Sequence, residues 1–267
     1  MIFQFIFDIA MLSSLSVQAI HERRREALIN ERQSYYGHRD VYRRRQYTIL
    51  RNERLTAIAG AVLFVLLIVE LVITANLHNL ISVHIFVGVL LAGPLVVKMS
   101  STGYRFMRYY AGSPAFVENG PPHWLLRLAA PFLVFLTVLV FISGFALAFS
   151  GPKHMGIFFK MHAASVALWI PVVAVHVYAH IRKVPQRVAS DLKNHKDYHV
   201  PGRNGRLGVN IFALLVGLIA AIVMMPVSSA WNHWQIPGGL PSPLVAGIML
   251  AVFALFIARP LLHQKRP

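Results

Sequence analysis

Two histidines on one apolar segment have the type and spacing for cofactor chemistry. His162 and His176 lie fourteen residues apart on IFFKMHAASVALWIPVVAVHVYAHI. Fourteen helical residues turn about 1400°, within about 40° of whole turns, so both imidazoles share a helix face. The rise between them is about 21 Å, which places one near each surface of a hydrocarbon layer about 30 Å thick. Ionisable or metal-binding side chains inside a membrane span are costly and mark function by default. Stacked in this way, the pair has the placement of axial ligands for two haems, one near each membrane face. His180 stands five turns from His162 at about 3.6 residues per turn and shares that face. It borders Arg182, and the deeper His176 is preferred as the ligand.

A macrocycle ligated from both sides needs a second nitrogen from a facing helix. His84 supplies it for His162, because both lie a few residues into apolar runs that cross in the same direction. Gly88, Ala92 and Gly93 follow His84, and Ala163 and Ala164 flank His162. Small residues admit a flat ring, although they also serve general helix packing in membranes. The partner of His176 is open. Lys98 occupies the corresponding place on the second run, and His123 begins the third. Lys98 also reads as a residue snorkelling to the headgroups, and His123 as an interfacial residue beside Trp124. A ligand from Lys98 or His123, a five-coordinate iron and no second haem are the three outcomes. Arg105 and Arg108 can clamp carboxylates such as haem propionates, or anchor the chain beside an aromatic belt. Glu70 suits proton uptake at a quinone site, a pairing with His84 or Lys160, or a packed neutral acid. The candidate cofactor-binding residues are therefore His84, His162, His176, His180, Arg105 and Arg108, with His84, His162 and His176 as metal ligands and no catalytic residue. The competing reading makes the membrane histidines polar glue or a proton path.

The elements that position these residues follow from hydropathy. The chain of 267 residues is 56% hydrophobic and only 13% charged, which is a membrane composition rather than that of a soluble core. It has no cysteine, which excludes disulfides, thiolate-held clusters and c-type haem attachment but leaves histidine-held haem b open. Six apolar runs are predicted to span: 55–77, 80–99, 128–149, 157–181, 207–227 and 244–258, the last one short unless Leu240 extends it. The expected fold is all-α, a polytopic membrane helical bundle of about six transmembrane helices with a four-helix haem-binding core. Residues 1–50 form a basic N-terminal arm, 51–185 the core, 186–207 a basic loop, and 208–267 two further spans with a basic tail. The opening MIFQFIFDIAML is too short to span and lacks a charged leader, so it is not read as a signal peptide.

Charge sets the orientation. Residues 21–54 contain ten arginines. Arg105 and Arg108, then Arg182, Lys183, Arg187, Lys193, Lys196, Arg203 and Arg206, then Arg259, Lys265 and Arg266 fall on the same side, with Lys153 the main exception. The positive-inside rule places both termini in the cytoplasm of a multi-pass plasma-membrane protein. Trp231 and Trp234 are expected as markers of the outer interface. The net charge of +16 points to anionic lipid, not to nucleic acid, since no soluble basic domain is present. The arm is read as a solvated, lipid-attracted segment, with an amphipathic helix or an adaptor for a partner as the alternative.

The order of a histidine early in the second span, HxxxG at His84–Gly88 and a fourteen-residue histidine pair in the fourth span resembles bacterial membrane-bound b-type cytochromes. These include the cytochrome b subunits of formate dehydrogenases and nickel–iron hydrogenases, and ferric-reductase-like four-helix cytochromes. The stretch RNERLTA, HIFVG, GPLVVKMSSTGYRFMRYY, GPP, KMHAAS and HVYAH is also similar to uncharacterised, largely actinobacterial cytochrome-b-like membrane proteins. The resemblance covers residues 51–181. It implies one or two haem b groups, with His84 and His162 on the outer one and His176 on the inner one. It also implies a role as an electron-transfer subunit rather than a complete enzyme, working with a quinone or a redox partner protein. In the dehydrogenase subunits a histidine at the start of the first span completes the inner site, whereas this chain reads RNERLTAIAG there. A stand-alone ferric reductase, or a non-redox transporter or assembly factor, is the alternative function.

Overall fold

The computed structural model describes residues 2–118, 120, 123–193, 200–234 and 242–263. Lys196, Leu240, Lys265 and Arg266 lie outside the described residues. Among those described, eight α-helices follow one another: α1 (Ile2–Ala75), α2 (Leu77–Tyr110), α3 (Pro114–Glu118), α4 (Trp124–Ser150), α5 (Gly156–His180), α6 (Lys183–Leu192), α7 (Arg203–Ser228) and α8 (Pro243–His263). Six of them are long and apolar enough to cross a membrane, and the chain is an all-α, multi-pass membrane protein. A helix satisfies its own backbone groups, which is what a spanning segment requires where no water is available.

The helices extend past the expected spans. The segment SSTGYRFMRYY, expected after the second span, continues α2 without a break to Tyr110. Residues 183–192 of the expected basic loop form α6. The basic stretch before the first span belongs to α1, so it is helical. By its contacts the chain forms two compact units, Met1–Thr48 and Ile49–Pro267. In the first, Arg39 lies over the Tyr35 ring at 5.6 Å. The second unit carries the six spans' packing and every candidate residue.

Within that unit the helices pack in two groups. In the first, Leu63 and Ile73 of α1 and Val87 and Leu91 of α2 form a buried cluster. The α2–α7 crossing is closer still. A Cβ on Gly93 would lie 2.0 Å from the Ala213 carbonyl oxygen, and one on Gly217 would lie 2.6 Å from that of Leu90. Only glycine permits such backbone approach, the usual small-residue solution for helices in lipid. In the second group, Ile170 of α5 packs with Leu244 and Ala251 of α8, and the Trp169 indole donates to Thr137 Oγ1 of α4 at 2.9 Å. Phe141 of α4 reaches the α1–α2 cluster. The helices α2 and α5, which carry His84 and His162, form no extended interface with each other.

Apolar side chains on the outer surface are left exposed, among them Val72, Phe135, Phe212, Val223, Met249 and Phe256. For a bundle in lipid this is the solvated face. Trp231 and Trp234, expected at the outer interface, are 4% and 8% exposed and so pack on the protein itself. The reason is local packing: their rings meet at 5.5 Å, and the Trp234 indole donates to Met155 Sδ at 3.2 Å.

Candidate haem site and the arginine-rich end

His84 and His162 meet in the gap between the two groups of helices. Their ring centroids are 6.3 Å apart with planes inclined at 75°. Two ring radii plus two metal–nitrogen bonds of about 2 Å each add to roughly 6 Å. The spacing is compatible with two imidazoles on opposite sides of one metal ion, and it is also within the range of an edge-to-face ring contact.

A neighbour lies against the other nitrogen of each ring, in hydrogen-bond geometry at His162 and as a close charge contact without that geometry at His84. His162 Nδ1 lies 3.0 Å from the Val140 carbonyl oxygen and 3.1 Å from Ser143 Oγ, both on α4. A carbonyl oxygen only accepts, so Nδ1 carries the proton and Nε2 keeps its lone pair. Ser143, 1% exposed, lends its own hydroxyl proton to the Leu139 carbonyl at 2.6 Å and is left to accept. Gly144 leaves space for the ring, since a Cβ there would sit 3.1 Å from His162 Cε1. On the other side, Glu70 of α1 touches His84 Nδ1 with Oε1. Its second oxygen, Oε2, is buried without a hydrogen bond among the described residues. Lys160, the other expected partner of Glu70, is exposed. Ligating histidines in proteins are held this way, with the remote nitrogen donating to a carbonyl or carboxylate that fixes tautomer and ring orientation.

These residues fit a haem held between two histidines. The gap between α2 and α5 is bridged by rings rather than by packed backbone, and a Cβ on Gly88, one turn beyond His84, would meet nothing within 4 Å. Gly93 does not serve that purpose, since it is taken up by the α7 crossing. Among the described residues no three His, Asp or Glu side chains converge as a three-ligand metal site requires.

The other histidine pair has a different form. His176 and His180 lie on the same helix, with ring centroids 4.8 Å apart. Neither candidate partner comes from a free position. Lys98 Nζ donates to the Thr56 carbonyl of α1 at 3.3 Å and rests against Gly60. The His123 ring caps α4, with Nδ1 accepting from Leu125 N–H at 3.3 Å.

The arginines gather at the end of the bundle that holds Lys98. Asp191 of α6 is 1% exposed and accepts from Arg54 Nη1 at 2.9 Å, Arg206 Nε at 2.8 Å and Arg206 Nη2 at 2.6 Å. Arg206 also donates to the Pro201 and Val200 carbonyls, and Arg203 to the Asp191 and Leu192 carbonyls. Burial alone pushes the Asp191 carboxyl up. The hydrogen bonds and charges of Arg206 and Arg54 outweigh it and hold the group below the ordinary carboxylate range. Beside this corner, Glu53 pairs with both Arg187 and Arg105. Arg105 is thus held by a carboxylate of the chain itself, and Arg108 is exposed in the last turn of α2. Both lie about 30 Å or more along α2 from His84, out of reach of any group held there. Arg105 and Arg108, expected as clamps for haem propionates or as lipid anchors, lie at this end of the bundle, and Asp191 is a partner that the basic loop does not reveal in sequence. No protein-family model matches this chain, and neither a curated protein nor a solved structure matches it, so the site rests on its own geometry.

Proposed function

We propose that this chain is a b-type cytochrome subunit of the plasma membrane, which carries electrons through haem b held by His84 and His162. The observation that carries the proposal is the approach of two imidazoles with centroids 6.3 Å apart, His162 Nδ1 hydrogen-bonded to α4 and His84 Nδ1 in contact with Glu70, which leaves Nε2 of each as the available ligand. A haem held there supplies an iron that takes up and releases one electron. The chain's own residues do the rest. His84 and His162 would hold the iron, Val140, Ser143 and Glu70 orient the rings, and the apolar spans exclude water. The asymmetry of loop charge supports cytoplasmic termini, with this site nearer the outer face. The electron partner is a quinone or a redox protein, as the resemblance to dehydrogenase cytochrome b subunits implies.

The geometry favours one haem per chain. A second, six-coordinate one at His176 would require Lys98 or His123 to leave the contacts described above, and a five-coordinate one would leave an open position on its iron. The test is a dithionite-reduced minus oxidised spectrum of the detergent-purified chain with haem quantitation. We expect b-type α and Soret bands at one haem per chain, and their loss in His84→Ala and in His162→Ala with the protein still inserted. Absence of haem from the wild-type chain, or its full retention in both variants, would overturn the proposal. The same spectrum separates it from the proton-path reading, which the contact of Glu70 with His84 favours and which needs no iron.

A further inference from the structure

The two rings of the site are held by unlike partners, and the difference has a chemical consequence. We infer that Glu70 is a positioning residue that keeps His84 in the ligating tautomer and lowers the reduction potential of the iron it holds. The inference rests on the haem reading above. Among residues 55–75, the apolar part of α1, Glu70 is the only ionisable side chain. It is largely buried, with 14% of its side chain exposed, and its Oε1 touches His84 Nδ1. For Nε2 of His84 to ligate, Nδ1 must carry the proton, and Glu70 is the side chain placed to accept it, as a carboxylate in this inference. A carboxylate in an apolar layer is costly unless a positive charge compensates it. An oxidised haem iron on the far nitrogen of the same ring, which keeps one net positive charge within the porphyrin dianion, would supply that charge. His162, by contrast, is held by a neutral carbonyl and a hydroxyl.

The anionic acceptor strengthens His84 as a donor and favours the oxidised, more positive iron. The neutral acceptors on His162 do this less. Ligand orientation is thus shared by four helices: α1 through Glu70, α2 through His84, α4 through Val140 and Ser143, and α5 through His162.

The experiment is redox titration, with haem quantitation, of the purified wild-type chain and of Glu70→Gln, Glu70→Leu and Ser143→Ala. Glu70→Gln keeps an acceptor and removes the charge. We expect it to retain haem with a potential raised by about 59 mV for each tenfold loss of preference for oxidised iron, over the 10–100-fold range typical of such partners. Glu70→Leu removes the acceptor too, and its haem affinity should fall about 10–100-fold. Ser143→Ala leaves the Val140 carbonyl on His162 and should move the potential less than Glu70→Gln. A Glu70→Gln protein that keeps both haem and the wild-type potential overturns the inference while leaving the haem reading intact. A wild-type chain without haem overturns the haem reading instead. If Glu70→Gln loses haem altogether, Glu70→Asp decides. Haem regained with the shorter carboxylate supports a role for the charge, and haem lost there as well overturns it, because side-chain fit alone would then account for both.

Discussion

Replacing Asp191 with Asn tests whether the arginine-rich end is held by one carboxylate. Asp191 sits on α6, Arg54 on α1 and Arg206 on α7, so one side chain ties the consecutive helices α6 and α7 to the distant α1. Hydrogen bonds to charged groups contribute about 1.5–3 kcal/mol each, and Asp191 accepts three. They are not additive, because Arg206 keeps its bonds to the Val200 and Pro201 carbonyls when the carboxylate is gone. The relevant figure is the cost of leaving buried charge unpaired, about 3–5 kcal/mol. Asn retains one acceptor oxygen, which brings the expected loss to the lower end, about 3 kcal/mol. For a chain of this size that is a fall of roughly 6–12 °C in the unfolding midpoint, read by thermal unfolding of the detergent-solubilised protein. Haem content at low temperature should not change, since the proposed haem site at His84 and His162 lies about 30 Å or more along α2 from Arg105, which shares Glu53 with Arg187 of α6. A midpoint within about 2 °C of wild type would refute the argument that this carboxylate holds the corner.

Three further outcomes follow from the same coordinates. The Asp191 carboxyl is held low by Arg206 and Arg54, so its contribution is fully present above the ordinary carboxylate range and is lost as pH falls through the folded-state value; the midpoint difference between wild type and Asp191→Asn should be constant from neutral pH to about pH 4 and shrink below it. Gly144→Ala places a Cβ 3.1 Å from His162 Cε1, so it should lower the haem-to-protein ratio measured by the reduced-minus-oxidised spectrum, and Gly144→Val should lower it further. Gly93→Ala drives a Cβ into the Ala213 carbonyl, and the strain of overpacking, at least about 1–3 kcal/mol, should depress the unfolding midpoint, whereas Gly88→Ala, which meets nothing within 4 Å, should not. A Gly93→Ala protein as stable as wild type would remove the α2–α7 backbone contact from the account.

Periodicity and hydropathy are local quantities, and what depends on them is legible in the sequence. The six spans are apolar runs of the right length, and the structure places a helix over each. The depth match of His84 and His162 follows from where each run begins, and the rings do meet. Partner identity is not local. Asp191 joins Arg54 across 137 residues of sequence, and nothing in the composition of a basic loop marks Asp191 as a buried acid. The packing of the tryptophans is not local either: an indole beside a span end reads as interfacial, while the contacts of Trp231 and Trp234 with each other, and of Trp234 with Phe159 of α5, depend on how separate helices pack. Glu70 stood between these cases: its rarity within an apolar run was visible, while the choice between His84 and Lys160 required the helix rotation.

The same contrast separates the two histidine pairs. A fourteen-residue spacing guarantees that His162 and His176 share a face of α5, and the helix delivers it. It does not guarantee that a second nitrogen faces each of them. At His162 the facing nitrogen exists because α2 and α5 diverge enough for two rings to fill the gap. At His176 the neighbouring ring, His180, belongs to the same helix at 4.8 Å, and two nitrogens on one helix lie on the same side of any plane packed against it. A macrocycle sandwiched between ligands needs nitrogens on opposite sides. The i, i+4 relation that makes His176 and His180 neighbours therefore prevents them from acting together as the axial pair of one haem, however favourable their depth in the membrane.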